Sequence, residues 1–306
     1  MPGCSELKMS YDKLKNLLAS ADGIFREKEP LAPYTSLKIG GRALFYIKPS
    51  RWDSLPAILS FLDLNSLPFK VLGRGTNLLV SDGDLGFGVI HILRMDGKVS
   101  VEDCTVEADA DVLLGECCRE SFQNSLTGLE TLEMVPGSIG GAAVMNAGAY
   151  GRSIFNFIRE VTVLDHEGKE RRLFPGDLAI GYRHTDLGDF GVVRKVRMWL
   201  KKGVRHDIDI KAKEFVRKRK ESQPWNARTA GSVFKNPEDA FAGKILEDLG
   251  FKGKARGGAS FSGTHANFLI NSGTASFEDA YGLTEEARSK ARDKGFNLEY
   301  EMEVWK

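Results

Sequence analysis

A chain of 306 residues is longer than one ordinary core needs and suits two or three compact domains. With 42% apolar and 28% charged residues it has the balance of a globular protein, which excludes a disordered or fibrous one. Lys plus Arg number 43 against 42 Asp plus Glu, so no global field draws nucleic acid or an anionic membrane, and anion specificity must come from local clusters.

Residues 1–18 are charged throughout and lack the apolar stretch of a secretory signal, and no apolar run approaches membrane-spanning length. A cytoplasmic chain is expected. Leu14, Leu17 and Leu18 give residues 11–21 helical spacing, followed by a polar stretch ending at Pro33. Short runs rich in Val, Ile, Phe and Leu, punctuated by Gly, Asp and Ser, predict strands over 43–47, 69–72, 88–93 and 99–107, with helices among them over 52–65 and 112–125. Cys117 and Cys118 fall in the second of those helices. With Cys4 and Cys104 they offer no C-x-x-C spacing, so they read as reduced packing thiols, with no metal site. Further strands are predicted over 161–165, 171–174 and 192–200, with a turn at His166-Glu167-Gly168. The charge-rich segment 204–220 reads first as a linker, then as an amphipathic helix carrying Phe215 and Val216, and the last domain boundary is expected there. A helix over 243–249, a strand over 268–271, a helix over 276–295 and a last strand over 298–305 complete an α+β chain.

Two loops carry more glycine than chain reversal requires: Gly73-Arg74-Gly75-Thr76-Asn77, directly after a predicted strand, and Pro136-Gly137-Ser138-Ile139-Gly140-Gly141. Glycine lets the backbone approach an anion and aim successive N–H groups at it, with Ser and Thr hydroxyls adding donors. The first loop breaks G-x-G-x-x-G at Leu78, and neither ends in the Lys-Ser/Thr of a P-loop. Each alone fits a tight turn as well as a ligand site. The second runs on into Met145-Asn146-Ala147-Gly148-Ala149-Tyr150-Gly151, small residues that would let a planar cofactor lie against the backbone.

These segments, with Thr35-Ser36-Leu37-Lys38-Ile39-Gly40-Gly41, Leu129-Glu130, Gly181-Tyr182-Arg183, Ala230-Gly231-Ser232-Val233-Phe234-Lys235-Asn236-Pro237, His265-Ala266-Asn267-Phe268 and Leu298-Glu299-Tyr300-Glu301, occur in the order found in one family. Over nearly its whole length the chain resembles the UDP-N-acetylenolpyruvoylglucosamine reductases. The resemblance implies an α+β fold: a vanillyl-alcohol-oxidase-type FAD-binding domain of two α/β subdomains, over 1–70 and 71–203, then a smaller α+β substrate-binding domain over 204–306. The last strand of that domain would return toward the flavin. It implies noncovalent FAD on Gly73, Arg74, Gly75, Thr76, Asn77 and Leu78, and on Pro136, Gly137, Ser138, Gly140, Gly141, Asn146, Gly148, Ala149 and Tyr150. NADPH would be the reductant and UDP-N-acetylglucosamine enolpyruvate the substrate, met by Tyr182, Lys235, Asn236, His265 and Asn267. A monomer acting in peptidoglycan synthesis is implied, with no nucleic-acid or membrane partner.

The same resemblance implies catalytic roles for Arg183, Ser232 and Glu301. Hydride addition to the enolpyruvyl methylene leaves negative charge delocalised into the carboxylate, and an arginine fork suits that charge better than a lysine. Glu301 helps only if it is protonated in the complex. Ser232 would protonate the neighbouring carbon, with Lys235 or a water chain behind it. Read alone, Ser232 is a turn serine, Arg183 an ion-pair arginine and Glu301 one of several carboxylates on a solvated face. The basic run Arg217-Lys218-Arg219-Lys220 reads as a solvated helix face, and His265 and Asn267 fit turn ordering as well as ligand contact.

The sequence departs from the family pattern at two places. His184 and Thr185 follow Arg183 where a serine is common, and Tyr300 stands where the C-terminal motif has proline. No long insertion with a substrate-covering tyrosine follows Arg183, which matches the shorter of the family's two types. Two other readings remain: a same-fold FAD oxidase or dehydrogenase acting on an alcohol or sugar, and a non-catalytic nucleotide-sugar-binding protein.

Overall fold

The structure, a computed structural model, describes residues 4–19 and 22–306. The Cys4 side chain and residues 20 and 21 of the first expected helix lie outside the described part. The chain forms two compact units that interleave in sequence: residues 1–28, 44–74 and 86–216 make the first, and 29–43, 75–85 and 217–306 the second.

The first unit holds α1 (Cys4–Ala19), α2 (Leu55–Leu64), α3 (Leu114–Gln123), α4 (Ile139–Val144) and α5 (Leu187–Phe190), and α6 (Arg205–Ser222) begins in it. A four-stranded sheet runs in the order Ile24–Pro30, Arg42–Lys48, Gly88–His91, Phe69–Leu72, the last three strands mutually parallel. Gly88 is required there because the Phe45 ring lies where its Cβ would stand, 2.1 Å away. The edge strand Ile24–Pro30 was not expected from sequence, since its charged residues lack a core alternation. It is an edge, where charge blocks pairing with other chains.

The second sheet of this unit is antiparallel, in the order Glu170–Leu173, Ile158–Leu164, Val192–Trp199, Thr105–Asp109, Val99–Glu102. The single strand expected over 99–107 is therefore a hairpin, because Asp103 turns at φ +51 between Glu102 and Thr105. Cys117 and Cys118 are fully buried on α3, and burial pushes the Cys117 thiol up to about 12, so they act as core residues. The stretch read as a linker is helical from Arg205 onward. Arg205 pairs with Asp209 at 2.8 Å and donates to the Phe122 carbonyl at 3.1 Å, while Ile208 and Ala212 bury one face.

The second unit is an antiparallel sheet in the order Thr229–Ser232, Phe268–Asn271, Ala259–Phe261, Ala255–Arg256, with α7 (Ala242–Asp248) and α8 (Phe277–Asp293). Ser276 and Asp279 cap α8 reciprocally, bonding each other's backbone N–H at 3.0 and 3.2 Å. Phe234, Phe251, Phe261, Leu246, Leu269 and Leu283 fill its core. The strand expected over 298–305 is shorter. Only Glu303–Trp305 is strand, parallel to Leu78–Val80, and the residues before it form a turn along the chain at 233–235. No helix among the described residues is long and apolar enough to cross a membrane.

Candidate active site

Gly73 ends the strand Phe69–Leu72, and a Cβ on it would stand 2.7 Å from the Ser138 Oγ, so the starts of the two glycine loops touch. Ser138 is buried and caps α4, accepting from the Gly141 N–H at 3.3 Å. The glycines of the second loop divide the work. Gly137 takes φ +154, Gly140 packs on Ala110 and donates to its carbonyl at 2.9 Å, and Gly141 is exposed beside Ser138, as is Pro136. Gly75 is fixed by space and by backbone at once: φ is +65, and a Cβ would meet the Tyr34 carbonyl at 2.2 Å. Arg74 is exposed, Thr76 and Asn77 are half-buried, and Leu78 is buried in its strand.

Under the start of the first loop, Leu72 pairs with His91, whose Nδ1 lies 2.7 Å from the Tyr46 hydroxyl. Burial lowers the His91 pKa to about 4, helped by the charge of Lys48, while the Gly73 backbone pulls weakly the other way. The imidazole is therefore neutral near pH 7. Within this unit Gly73 and Gly148 leave no space for a side chain, since Cβ atoms there would stand 2.7 Å from the Ser138 Oγ and 2.4 Å from the Arg152 carbonyl, so bare main chain is what a flat, anionic dinucleotide such as FAD would meet at these two positions.

Also in the first unit, Asn146 is buried at φ +42. Its side chain donates to the Gly181 carbonyl at 2.8 Å and accepts from the Phe155 N–H at 3.4 Å, tying the small-residue stretch to the hairpin of Ile180–Gly181 and His184–Thr185. Arg183 sits in that hairpin turn at φ +55, donates from Nη2 to the Gly148 carbonyl at 2.7 Å, and lies over the Tyr182 ring at 5.0 Å. Gly148 leaves room for it, since a Cβ there would stand 3.0 Å from the Arg183 Nη1. Thr185 donates to the Val144 carbonyl at 2.7 Å, so it secures the hairpin. Ala149 pairs with Arg152, and the exposed Tyr150 sets its ring 4.8 Å from Phe215 of α6.

In the second unit, Ser232 ends its strand opposite Phe268, just after Gly231 at φ +79. The Glu301 N–H donates to the Val233 carbonyl at 2.9 Å, and Asn77 donates to the Glu301 carbonyl at 3.1 Å. Ser232, Glu301 and the end of the first glycine loop thus share one scaffold. Lys235 is directed to Glu299, with its Nζ 3.5 Å from the carboxylate. Asn236 is exposed and accepts from the Ala242 N–H at 3.0 Å, at the start of α7.

Asn267, expected at the substrate, clamps Phe234. It is buried, accepts from the Phe234 N–H at 3.0 Å and donates to the Phe234 carbonyl at 2.8 Å, which uses one of its amide hydrogens and one acceptor position of its oxygen. His265 accepts from the Asn267 N–H at 3.3 Å beside the Phe268 ring, and burial lowers its pKa. Of the basic run on α6, Arg217 pairs with Glu221 and Lys220 lies over Trp225, as a solvated face would. Sequence reading did not single out Asn77 as a tie to Glu301, nor Asn271, which donates to the Leu37 carbonyl at 2.9 Å. Both partners lie more than two hundred residues away in sequence, and no local pattern marks them.

A family profile described as the UDP-N-acetylenolpyruvoylglucosamine reductase C-terminal domain matches residues 223–305, and an FAD-binding-domain profile matches residues 43–173. A UDP-N-acetylenolpyruvoylglucosamine reductase of Thermotoga sp. (strain RQ2) is 38% identical over 297 residues, 96% of this chain and 98% of its own length. Another, of Clostridium novyi (strain NT), is 38% identical and covers 89% of this chain and 88% of its own length. A crystal structure of the enzyme so named from Thermus caldophilus superimposes with a TM-score of 0.79 at 32% identity, covering 92% of this chain and all of that one. A 4-ethylphenol oxidase from Gulosibacter chungangensis, 13% identical, shares the fold over 65% of this chain with a TM-score of 0.50.

Proposed function

The chain belongs to the UDP-N-acetylenolpyruvoylglucosamine reductase family, and from that membership we infer how its own residues serve the NADPH-dependent reduction of UDP-N-acetylglucosamine enolpyruvate to UDP-N-acetylmuramate, a step toward peptidoglycan. The fold is the expected α+β FAD-binding domain with a substrate-binding domain. Bound FAD supplies the hydride, taken from NADPH, that reduces the enolpyruvyl double bond.

We assign the holding of FAD to the backbone of Gly73, Arg74, Gly75, Thr76 and Asn77, with Leu78 buried behind them. The second loop contributes Pro136, Gly137, Ser138 and Gly141, with Gly140 as packing support. Asn146, Gly148, Ala149 and Tyr150 complete the set. Lys235 and Asn236 are assigned to substrate anions and polar groups, Tyr182 to the apolar flank beside Arg183, and His265 and Asn267 to substrate polar groups as well as to ordering their own turn.

Arg183 is assigned to the substrate carboxylate. Its hold on the Gly148 carbonyl sets the guanidinium in advance, so its remaining donors meet the charge that develops in the transition state at little ordering cost. Glu301, protonated in the complex, adds a donor to the same charge. Ser232 delivers the proton to the carbon beside the carboxylate. The observation that carries this assignment is the Glu301 N–H bond to Val233 at 2.9 Å, which seats Glu301 on the residue next to Ser232. Cytoplasmic location and a monomer belong to the same reading, and elution of the FAD-loaded protein at the mass of one chain tests the second.

Half-reactions test the roles. Ser232→Ala leaves flavin reduction by NADPH within about twofold of wild type and slows reoxidation by the enolpyruvyl sugar about 10²–10⁴-fold. Equal slowing of both half-reactions would refute the assignment. Glu301→Gln, still a donor, keeps activity near wild type if the glutamate acts only by donating.

A further inference from the structure

Tyr300 occupies the centre of the turn that carries Glu301. Its backbone bridges Phe234, while on either side Lys235 donates to the Glu299 carbonyl at 2.8 Å and Glu301 to the Val233 carbonyl at 2.9 Å. That short ladder sets the register of the turn. Asn77 adds a bond to the Glu301 carbonyl at 3.1 Å.

The Tyr300 side chain ties this turn to α8. Its hydroxyl donates to Glu285 at 2.8 Å and meets the Thr284 hydroxyl at 2.6 Å, both residues on α8. Thr284 is fully buried, and Glu285 is itself held by Arg288 at 2.7 Å. The Arg288 guanidinium also lies 4.9 Å from the centre of the Tyr300 ring, and Phe234 and Tyr281 lie 5.3 and 6.3 Å from it. Arg288 further donates to the Leu298 carbonyl at 3.1 Å, fixing the start of the same segment. A phenol that bonds Glu285 and Thr284 and packs beside two rings and a guanidinium is constrained, and the constraint passes to the next residue in the chain.

We propose that Tyr300 is a positioning residue for the reaction: it pins the turn to α8 through Thr284 and Glu285, and so fixes where Glu301 presents its carboxyl relative to Ser232. The proposal rests on the role assigned to Glu301 above, and the test separates the two.

Tyr300→Phe keeps the ring contacts and removes the hydroxyl. Flavin reduction by NADPH stays within about twofold of wild type, while reoxidation by the enolpyruvyl sugar slows ~10-fold. Glu301→Ala slows reoxidation more, and adding Tyr300→Phe to it costs at most about another twofold, because the residue being positioned is gone. Equal slowing by Tyr300→Phe in both backgrounds overturns the proposal. So does wild-type reoxidation in Tyr300→Phe beside a slow Glu301→Ala. Fast reoxidation in Glu301→Ala instead removes the Glu301 assignment, and the positioning role falls with it. Calorimetric titration with UDP-N-acetylmuramate gives a readout apart from turnover: Tyr300→Phe weakens binding by less than about threefold if only Glu301 is loosened, and a loss beyond ~10-fold means that the turn has collapsed and refutes the proposal. If Tyr300→Phe does not fold, Thr284→Val removes one partner of the same hydroxyl from the helix side and repeats each comparison.

Discussion

Replacing Asn267 by leucine removes both ends of the clamp on Phe234 while nearly preserving volume, so the packing term is small. What remains is electrostatic. The Phe234 N–H and carbonyl, bonded to Asn267 at 3.0 and 2.8 Å, lose their partners inside a core where Phe234 is fully buried. Each orphaned group costs about 1–3 kcal/mol, so the substitution costs about 2–6 kcal/mol in all. At an m-value of about 2 kcal/mol/M, the urea midpoint of the transition reporting the second unit falls by roughly 1–3 M. Asn236→Ala makes the comparison, because it removes a single exposed bond to the Ala242 N–H and costs about 1 kcal/mol. A midpoint for Asn267→Leu within about 0.3 M of wild type would refute the clamp and leave Asn267 to ligand contact alone.

Gly75→Ala must adopt φ +65 and place a Cβ against the Tyr34 carbonyl, so titration of the apoprotein should show FAD affinity reduced at least ~10-fold. Gly176→Ala, with nothing within 4 Å of its Cβ, should match wild type, and equal affinities for the two variants would contradict the cradle. For His91, the pKa is depressed in the folded protein to about 4 from 6.5, first by burial, so the unfolded chain binds the extra proton. Stability from this group is complete above about pH 6.5 and is lost as pH falls toward 4, up to ~3 kcal/mol. His91→Gln should flatten that acid limb by as much as one proton, and an unchanged limb would mean that His91 is not buried neutral. Arg183→Lys cannot hold the Gly148 carbonyl and offer a planar fork together, so reoxidation by the enolpyruvyl sugar should slow about 10²–10³-fold. Reoxidation near the wild-type rate would remove Arg183 from the reaction.

Where structure follows from local pattern, the sequence was readable. The strands Phe69–Leu72 and Phe268–Asn271 stand where their apolar runs place them, and Ser276 with Asp279 starts α8. Where partners are remote, it was not. Arg205 looked like linker because its partner, the Phe122 carbonyl, lies 83 residues earlier. The final segment looked like one strand because its alternation continues through Tyr300, whose hydroxyl is bound instead by Thr284 and Glu285 of α8. The glycine loops were visible as composition, but only space distinguishes Gly140, which packs on Ala110, from Gly75, which must take a left-handed turn. Asn267 belonged to a recognisable motif, yet its two bonds to Phe234 depend on a neighbour 33 residues away.

The most direct test of the whole account is the anaerobic visible spectrum of the bound flavin, recorded after NADPH and again after UDP-N-acetylglucosamine enolpyruvate. The reductase activity requires bleaching by NADPH and full return of the oxidised spectrum with one equivalent of the sugar. A flavin that NADPH bleaches, but that returns only when oxygen is admitted, would contradict it.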